Sequence, residues 1–305
     1  MKKQLGLGAV IVGVLCLSLG GPVGAQVVVP AGYSVEEVAA GLDGPEGMAL
    51  VGAGQIFVCE AQANQLPGLP VKSDLTRVRR NGKTTTLSSG SGTTWVDVAR
   101  DPSGGLFVTQ LGGGLGGVQQ IHPNGSPGWF VPTGNLTGIA YDGATGDLYV
   151  GRTSGSILRI DAAGSVSTFR SSTRADGLIV TDDRILLAAV LTRFVGGVPF
   201  SNQIVAYDLE SGVEAVLADN LGTRIDFIAL GRDGEIFATD SADGSLRRLV
   251  PDGSGGYTPE VFATGFSSTS VRFPTFSFNA VEVAPDGRIY VSDYGAGKIY
   301  VIAEE

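Results

Sequence analysis

The chain has 305 residues, 47 of them glycine, with 21 Lys+Arg against 30 Asp+Glu, a charged fraction of 17% and a mean hydropathy of +0.21. So few charges and so much apolar character exclude a disordered acidic protein. The glycines keep no three-residue period and interrupt every long stretch, which excludes collagen and coiled coils. They must punctuate many short elements.

Lys2 and Lys3 precede an uncharged apolar run at residues 5–19, and Val23-Gly24-Ala25 places small residues before Gln26. This is the pattern of a secretory signal cleaved near Ala25, which makes the mature protein secreted or periplasmic. The run is too short to favour a membrane span, and no later stretch is long and apolar enough for one. Cys16 follows Val14 and Leu15, where a lipoprotein signal wants small residues. Cleavage removes two lysines and no acid, leaving a net charge of −11. Such a surface repels nucleic acid and is compatible with cations. Cys59 is then the only cysteine, so no internal disulfide forms. It sits in an apolar strand pattern, as a buried thiol would. Residues 26–305 must build one domain on a large core, since no linker or shift in composition divides them.

Past the signal, a turn followed by a β-rich triplet recurs six times. The triplets are Ile56-Phe57-Val58, Leu106-Phe107-Val108, Leu148-Tyr149-Val150, Ile185-Leu186-Leu187, Ile236-Phe237-Ala238 and Ile289-Tyr290-Val291. Glycine marks five of the turns, at Gly54, Gly105, Gly146, Gly234 and Gly287; the fourth has Asp182-Asp183. A strand precedes each turn and a third comes after it, as at residues 75–78, 118–121, 157–160, 204–207, 246–249 and 299–302. Further turns such as Asn81-Gly82 and Asp252-Gly253 lead into a fourth strand. Four antiparallel strands in repeats of about 40–50 residues predict an all-β, six-bladed propeller. The last repeat ends after its third strand. Residues 35–38 supply the missing one, so the N-terminal strand closes the ring and hides two open edges. Ala40-Gly41-Leu42 then matches Ala263-Thr264-Gly265-Phe266. WD40 Trp-Asp pairs are missing, and the repeats are too long for a β-helix.

In such a ring the first strand of each blade lines the central channel. The side on which these strands begin is called the top; the glycine hairpins lie at the bottom. The long insertions, 61–74, 191–202 and 266–278, fall at the top, where function is expected. The last carries Phe266, Phe273, Phe276 and Phe278, which suit a self-packed loop better than a ligand wall. Counting back from each triplet's end finds Glu46 at 12 residues, Asp97 at 11, Asp176 at 11, Asp226 at 12 and Asn279 at 12. Blade three offers Thr137 at 13. Converging carboxylates repel unless a cation neutralises them or they bind protons. An all-oxygen set suits Ca²⁺ or Mg²⁺ better than zinc. The plainer reading is a ring of hydrogen-bonded strand starts around solvent.

With these residues the chain resembles the SMP-30 and gluconolactonase family of calcium-dependent propeller hydrolases, and more loosely NHL-type propellers. The resemblance implies a divalent cation held from blades one, four and five, onto Glu46 in Gly44-Pro45-Glu46-Gly47, Asp176 in Ala175-Asp176-Gly177 and Asp226 in Ile225-Asp226-Phe227. Asp176 stands where the family has asparagine, and Asp226 lacks the family's Pro-Asp-Gly surround. The family's substrate-binding asparagine finds its counterpart in Asn135, beside Thr137. The cation would polarise a lactone or ester carbonyl, Asp226 would activate water, and Arg174 would hold an anionic substrate group.

The single histidine, His122, precedes Pro123-Asn124-Gly125 at a bottom turn. That argues against propeller chemistries needing clustered histidines: zinc amidating lyases, paraoxonase-like pairs, streptogramin lyases and quinone-dependent sugar dehydrogenases. Asn135-Leu136-Thr137 is a glycosylation sequon. Two functions stay open. One is a cation-dependent hydrolase of a lactone or ester. The other is a non-catalytic exported propeller whose top face binds a protein, glycan or small ligand. Fold alone does not choose between them.

Overall fold

The computed structural model describes residues 26–52, 54–61, 72–112, 116–195, 198–221, 224–267 and 279–305. Its strands form six four-stranded antiparallel sheets in a ring, a six-bladed β-propeller. The N-terminal strand is β1 (Tyr33–Ala40). Blade one is β2 (Pro45–Val51), β3 (Gln55–Glu60), β4 (Lys72–Val78) and β5 (Thr84–Ser91). Blade two is β6 (Thr94–Arg100), β7 (Leu106–Leu111), β8 (Gly117–Ile121) and β9 (Pro127–Pro132). Blade three is β10 (Leu136–Tyr141), β11 (Leu148–Arg152), β12 (Ser156–Ile160) and β13 (Val166–Ser171). Blade four is β14 (Arg174–Val180), β15 (Ile185–Val195), β16 (Val198–Asp208) and β17 (Glu214–Ala218). Blade five is β18 (Ile225–Leu230), β19 (Ile236–Asp240), β20 (Ser245–Pro251) and β21 (Tyr257–Ala263). Blade six is β22 (Val281–Val283), β23 (Ile289–Asp293) and β24 (Lys298–Glu304), with β1 on its outer edge.

The innermost strands β2, β6, β10, β14, β18 and β22 touch in that order, and β22 also touches β2. The ring closes as the sequence predicts. β1 pairs along β24 from Tyr33↔Glu304 to Ala40↔Lys298, and Lys298 bridges Glu37 at 2.8 Å. The expected equivalence after the fourth strand also holds. Leu42 N–H donates to Gly297 O at 3.0 Å in blade six, and Phe266 N–H donates to Gly244 O at 3.1 Å in blade five. Both side chains are buried.

Alternation along the strands buries opposite faces between neighbouring blades, and the core lies there as wedges. One wedge gathers Trp95, Val98 and Val108 with Phe57 and Cys59; another gathers Ile157, Leu186 and Tyr207. Cys59 is fully buried and without a disulfide. The outermost strands carry many exposed residues because no further strand covers their outer edge.

Two features depart from the sequence reading, and one adds to it. Residues 191–202, expected as a loop, lie mostly within the extended hairpin β15–β16, whose register runs to Val195↔Val198. In blade four the turn has no glycine, and Arg184 itself adopts the left-handed conformation at φ 59°. Its guanidinium is held at 3.2 Å by the Asp142 carboxylate of the preceding blade. Finally, the blade-four triplet is displaced by one. The residue matching Val58 is Ala188, not Leu187. The signal segment, most of the first insertion, and Phe273, Phe276 and Phe278 lie outside the described residues. Among the described residues no helix is long and apolar enough to cross a membrane.

Candidate functional site at the throat of the channel

Strand register shows which residues share a level. Each innermost strand pairs with the triplet's end: Met48↔Val58, Val98↔Val108, Ile139↔Val150, Leu178↔Ala188, Ile228↔Ala238 and Val281↔Val291. Two residues earlier stand Glu46, Val96, Thr137, Asp176, Asp226 and Asn279. The expected polar ring therefore holds in five blades and fails in blade two. There Val96 occupies the level and Asp97 lies one residue deeper. In five blades the register shifts at this point, so two residues of the inner strand face one of its partner. Such a bulge turns side chains out of the ladder toward the channel.

The throat is tight because glycine comes next after the ring residue in three blades. A Cβ on Gly47 would fall on Asp97. One on Gly138 would meet the carbonyl oxygen of Asp176, and one on Gly177 would lie 2.6 Å from that of Asp226. These glycines let neighbouring backbones meet. Hydroxyls from the second strand then hold the inner strand near this level. Thr109 Oγ1 accepts from Asp97 N–H at 3.1 Å, and Ser292 Oγ accepts from Ala280 N–H at 2.7 Å. Across blades, Thr109 donates to Thr137 O at 2.6 Å and Ser292 to Glu46 O at 3.1 Å. Cys59 is the blade-one residue at this same position. Its thiol is pushed well up, first by burial and then by the charges of Asp97, Glu46 and Glu60.

The candidate residues divide into two groups. Asp97 and Asn279 are committed to the scaffold. Asp97 Oδ2 accepts from Ile139 N–H at 3.0 Å and Oδ1 from Val98 N–H at 2.8 Å. Burial nonetheless pushes its carboxyl up to about 7, against those two bonds. Asn279 donates to Ser267 O at 3.0 Å and accepts from Tyr294 N–H at the same distance. Asn135 is exposed, and its side chain accepts from Gly112 N–H at 2.9 Å. It ties the top of blade two to blade three. His122 is exposed at the β8–β9 turn, away from the throat, as expected.

Asp176 and Asp226 form the second group. Both are buried, at 7% and 0% exposure. Arg224 donates from Nε to Asp226 Oδ1 at 3.0 Å and is itself 4% exposed. Spacing i, i+2 along a strand places Arg224 beside Asp226 and Arg174 beside Asp176. Burial raises both carboxyls. Arg224 opposes this at both, Arg174 opposes it at Asp176, and the Asp176 charge adds to it at Asp226. Thr137 reaches the pair as well, donating to Ala175 O at 2.9 Å beside Asp176. Three polar atoms here are enclosed without a hydrogen-bond partner among the described residues: Asp176 Oδ1, Asp226 Oδ2 and Arg174 Nε. Buried polar atoms are nearly always paired, so this trio is open to a water or a ligand. Glu46 lies on the same level and is 3% exposed. Sequence reasoning missed Arg224 as a member of this group, although its i, i+2 spacing was visible.

A calcium ion takes six to eight oxygen ligands. Among the described residues no group of three or more His, Cys, Asp or Glu is gathered to hold a metal. Asn279 and Asp97 spend their oxygens on N–H groups, and a guanidinium occupies one side of Asp226. The described residues do not fit a calcium cage.

No family model and no curated protein sequence matches the chain. Solved structures do. A streptogramin B lyase matches at TM-score 0.61 and 12% identity, over 90% of this chain and 98% of the lyase. A putative gluconolactonase matches at TM-score 0.59 and 16% identity, over 90% of this chain and 93% of its own. The PQQ-bound aldose sugar dehydrogenase of Streptomyces coelicolor matches at TM-score 0.61 and 16% identity, over 90% and 99%. At these identities the likeness is one of fold. The three neighbours span a lyase, a putative hydrolase and a dehydrogenase, so the site must carry any functional argument.

Proposed function

We propose that this propeller is an exported hydrolase that opens a lactone or ester at the top of its throat, with Asp226, Asp176 and Arg174 as working groups. The observation that carries this is the unpaired trio Asp226 Oδ2, Asp176 Oδ1 and Arg174 Nε. The likeness to a putative gluconolactonase supports the substrate class. Asp226 is held by Arg224 on one oxygen, leaving Oδ2 to take a proton from water as the water oxygen attacks the carbonyl carbon. Arg174 Nε donates to the carbonyl oxygen as it gains negative charge. Asp176, whose carboxyl burial raises, enters the step carrying a proton and gives it to the alcohol oxygen as the C–O bond breaks. The proton taken by Asp226 then passes back to Asp176. No step runs through a metal.

The test is a panel of lactones and esters with chelator-treated protein. Turnover is expected to persist after chelation and to fall about 100-fold or more in Asp226→Asn, which keeps an oxygen for Arg224. No turnover on the panel, or an unchanged Asp226→Asn rate at an unchanged melting temperature, would overturn the reading. A saturable heat on titrating Ca²⁺ would restore the cation-dependent form. The second reading, a non-catalytic binding propeller, is favoured by the depth of the site, where Asp226 and Arg224 are almost sealed. It predicts ligand capture on the top face without turnover.

Export is part of this proposal. It is supported by the basic and apolar pattern of the first 25 residues and by the contacts of residues 27 and 28. Val27 is buried, and Val28 pairs with Thr264 in both directions at 2.9 and 3.0 Å. A cut after Ala25 spares these contacts. Intact mass of the exported protein is expected to place its first residue at Gln26. A protein retaining residues 1–25 would refute export by this route.

A further inference from the structure

Below the throat the channel widens into a cavity of about 570 Å³ that opens at the bottom, away from Asp176 and Asp226. Its volume lies within the range of small-molecule sites. The lower halves of the six innermost strands line it; most of the side chains there are apolar, while polar atoms make up the larger part of the exposed wall.

One residue breaks the pattern. The position paired with the triplet's middle residue carries Ala49, Ala99, Ala140 and Ala229 in four blades and Ile179 in another. In blade six it carries Glu282, paired with Tyr290. Glu282 lines the cavity and is partly accessible from it. It has no hydrogen bond or ion pair among the described residues. Its carboxyl is pushed up to about 8, first by burial and then by the charge of Asp97. The other polar groups around the cavity come from three elements. β6 gives Asp97 at the upper end and Arg100 at the rim, β10 gives Tyr141, and the turn after β14 gives Thr181 and Asp182. β2 and β18 give none.

We propose that the lower channel binds a protonated amine with a compact apolar body, its ammonium seated on Glu282. An unpaired carboxyl in a cavity whose side chains are mostly apolar is stabilised by a cation that brings some apolar surface of its own. A divalent metal ion would lack oxygens, because both of Asp97's are held by N–H groups of residues 139 and 98. An anion would meet Asp97 and Glu282. A neutral apolar ligand would leave Glu282 as it is.

The experiment uses the full chain, titrated calorimetrically with cyclohexylamine, cyclohexanol and cyclohexanecarboxylate. Cyclohexylamine is expected to bind at one site, at least tenfold tighter than the other two. Its affinity rises about tenfold from pH 7 to pH 9, as the fraction of ionised Glu282 rises. Glu282→Gln removes the preference for the amine, with melting temperature reporting that the variant is folded. Leu230→Trp, at the cavity mouth, weakens amine binding with Glu282 intact. Equal affinity for amine and alcohol, or amine binding retained in both variants, overturns the proposal. The amine site is independent of the hydrolase reading, which concerns the opposite side of the throat.

Discussion

Replacing Arg224 by methionine is expected to cost about 3–5 kcal/mol of folding stability near neutral pH, because it strands buried carboxyls without their guanidinium. Arg224 donates to Asp226 at 3.0 Å, and both residues are sealed from solvent. It also lowers the carboxyl of Asp176. Without it, burial is opposed at Asp226 only by the Ser241 hydroxyl, and at Asp176 only by Arg174 and the Thr137 hydroxyl. Their folded pKa values then climb further above the ordinary carboxylate value. A raised carboxyl holds its proton in the folded chain while the unfolded chain has released it. Its contribution is fully present below the unfolded value near 4 and is lost as pH rises through the folded one. The deficit of Arg224→Met should therefore be small at pH 5 and grow toward pH 8. Urea unfolding at both values measures it. The double change Arg224→Met with Asp226→Leu should recover much of the loss, since an apolar pair of similar volume often replaces a buried ion pair without cost. A single-variant loss under about 1 kcal/mol, or one equal at both pH values, would mean that water reaches the carboxyls.

The blade count and ring closure were legible because hairpins need local chemistry that the sequence displays. A turn residue at positive φ demands glycine or its equivalent, and Gly54, Gly146, Gly234 and Gly287 all take it. The β1–β24 pairing was legible for another reason: one blade lacked a strand and the N-terminal segment had one to spare. The extended hairpin β15–β16 was not legible. In the sequence, Gly196-Gly197 and Pro199 read as loop residues. The glycines also hid a second role. Gly47, Gly138 and Gly177 mark no turn; they permit contact between strands far apart in the chain. Nothing local signals such a contact.

The candidate site was half legible. Counting placed Glu46, Asp226 and Asn279 on one level, because their hairpins have equal length. It reached Asp176 through an error of one in the triplet, and it put Asp97 on the ring when Val96 is there. A single residue of slip moves a side chain to the other face of a strand. The deeper difficulty was charge. Acids were read as a set awaiting a cation, while Arg174 was read as a substrate group and Arg224, two residues before Asp226, was not read at all. Only the folded ring brings Arg224 against Asp226 and exposes which oxygens remain unpaired. Glu282 went unnoticed because its significance is comparative. It is an ordinary glutamate in Val281-Glu282-Val283 until register sets it against four alanines and an isoleucine.

That comparison predicts a stabilising substitution. Glu282→Ala restores the residue that four other blades use, and it is expected to raise stability at pH 8 by a few kcal/mol. The sign comes from the same linkage. The folded carboxyl is raised from its ordinary value of 4.5 to about 8 by burial and by Asp97. The parent is thus penalised progressively as pH rises from about 4.5 toward 8, and no further above that. Glu282→Ala carries no such penalty. At pH 5 the advantage should disappear and even reverse, since alanine forfeits the apolar contacts of the glutamate stem. Asp97 titrates in the same window, raised to about 7. Removing Glu282 also relieves its repulsion, so the two effects share a sign. Melting curves of parent and variant from pH 5 to pH 8 should therefore cross or converge on acidification. A difference independent of pH would show that Glu282 ionises as it does in water, and the amine site would lose its anchor. A stabilising loss of this carboxyl would mean the fold tolerates a residue that burdens it, which is the mark of a group retained for binding.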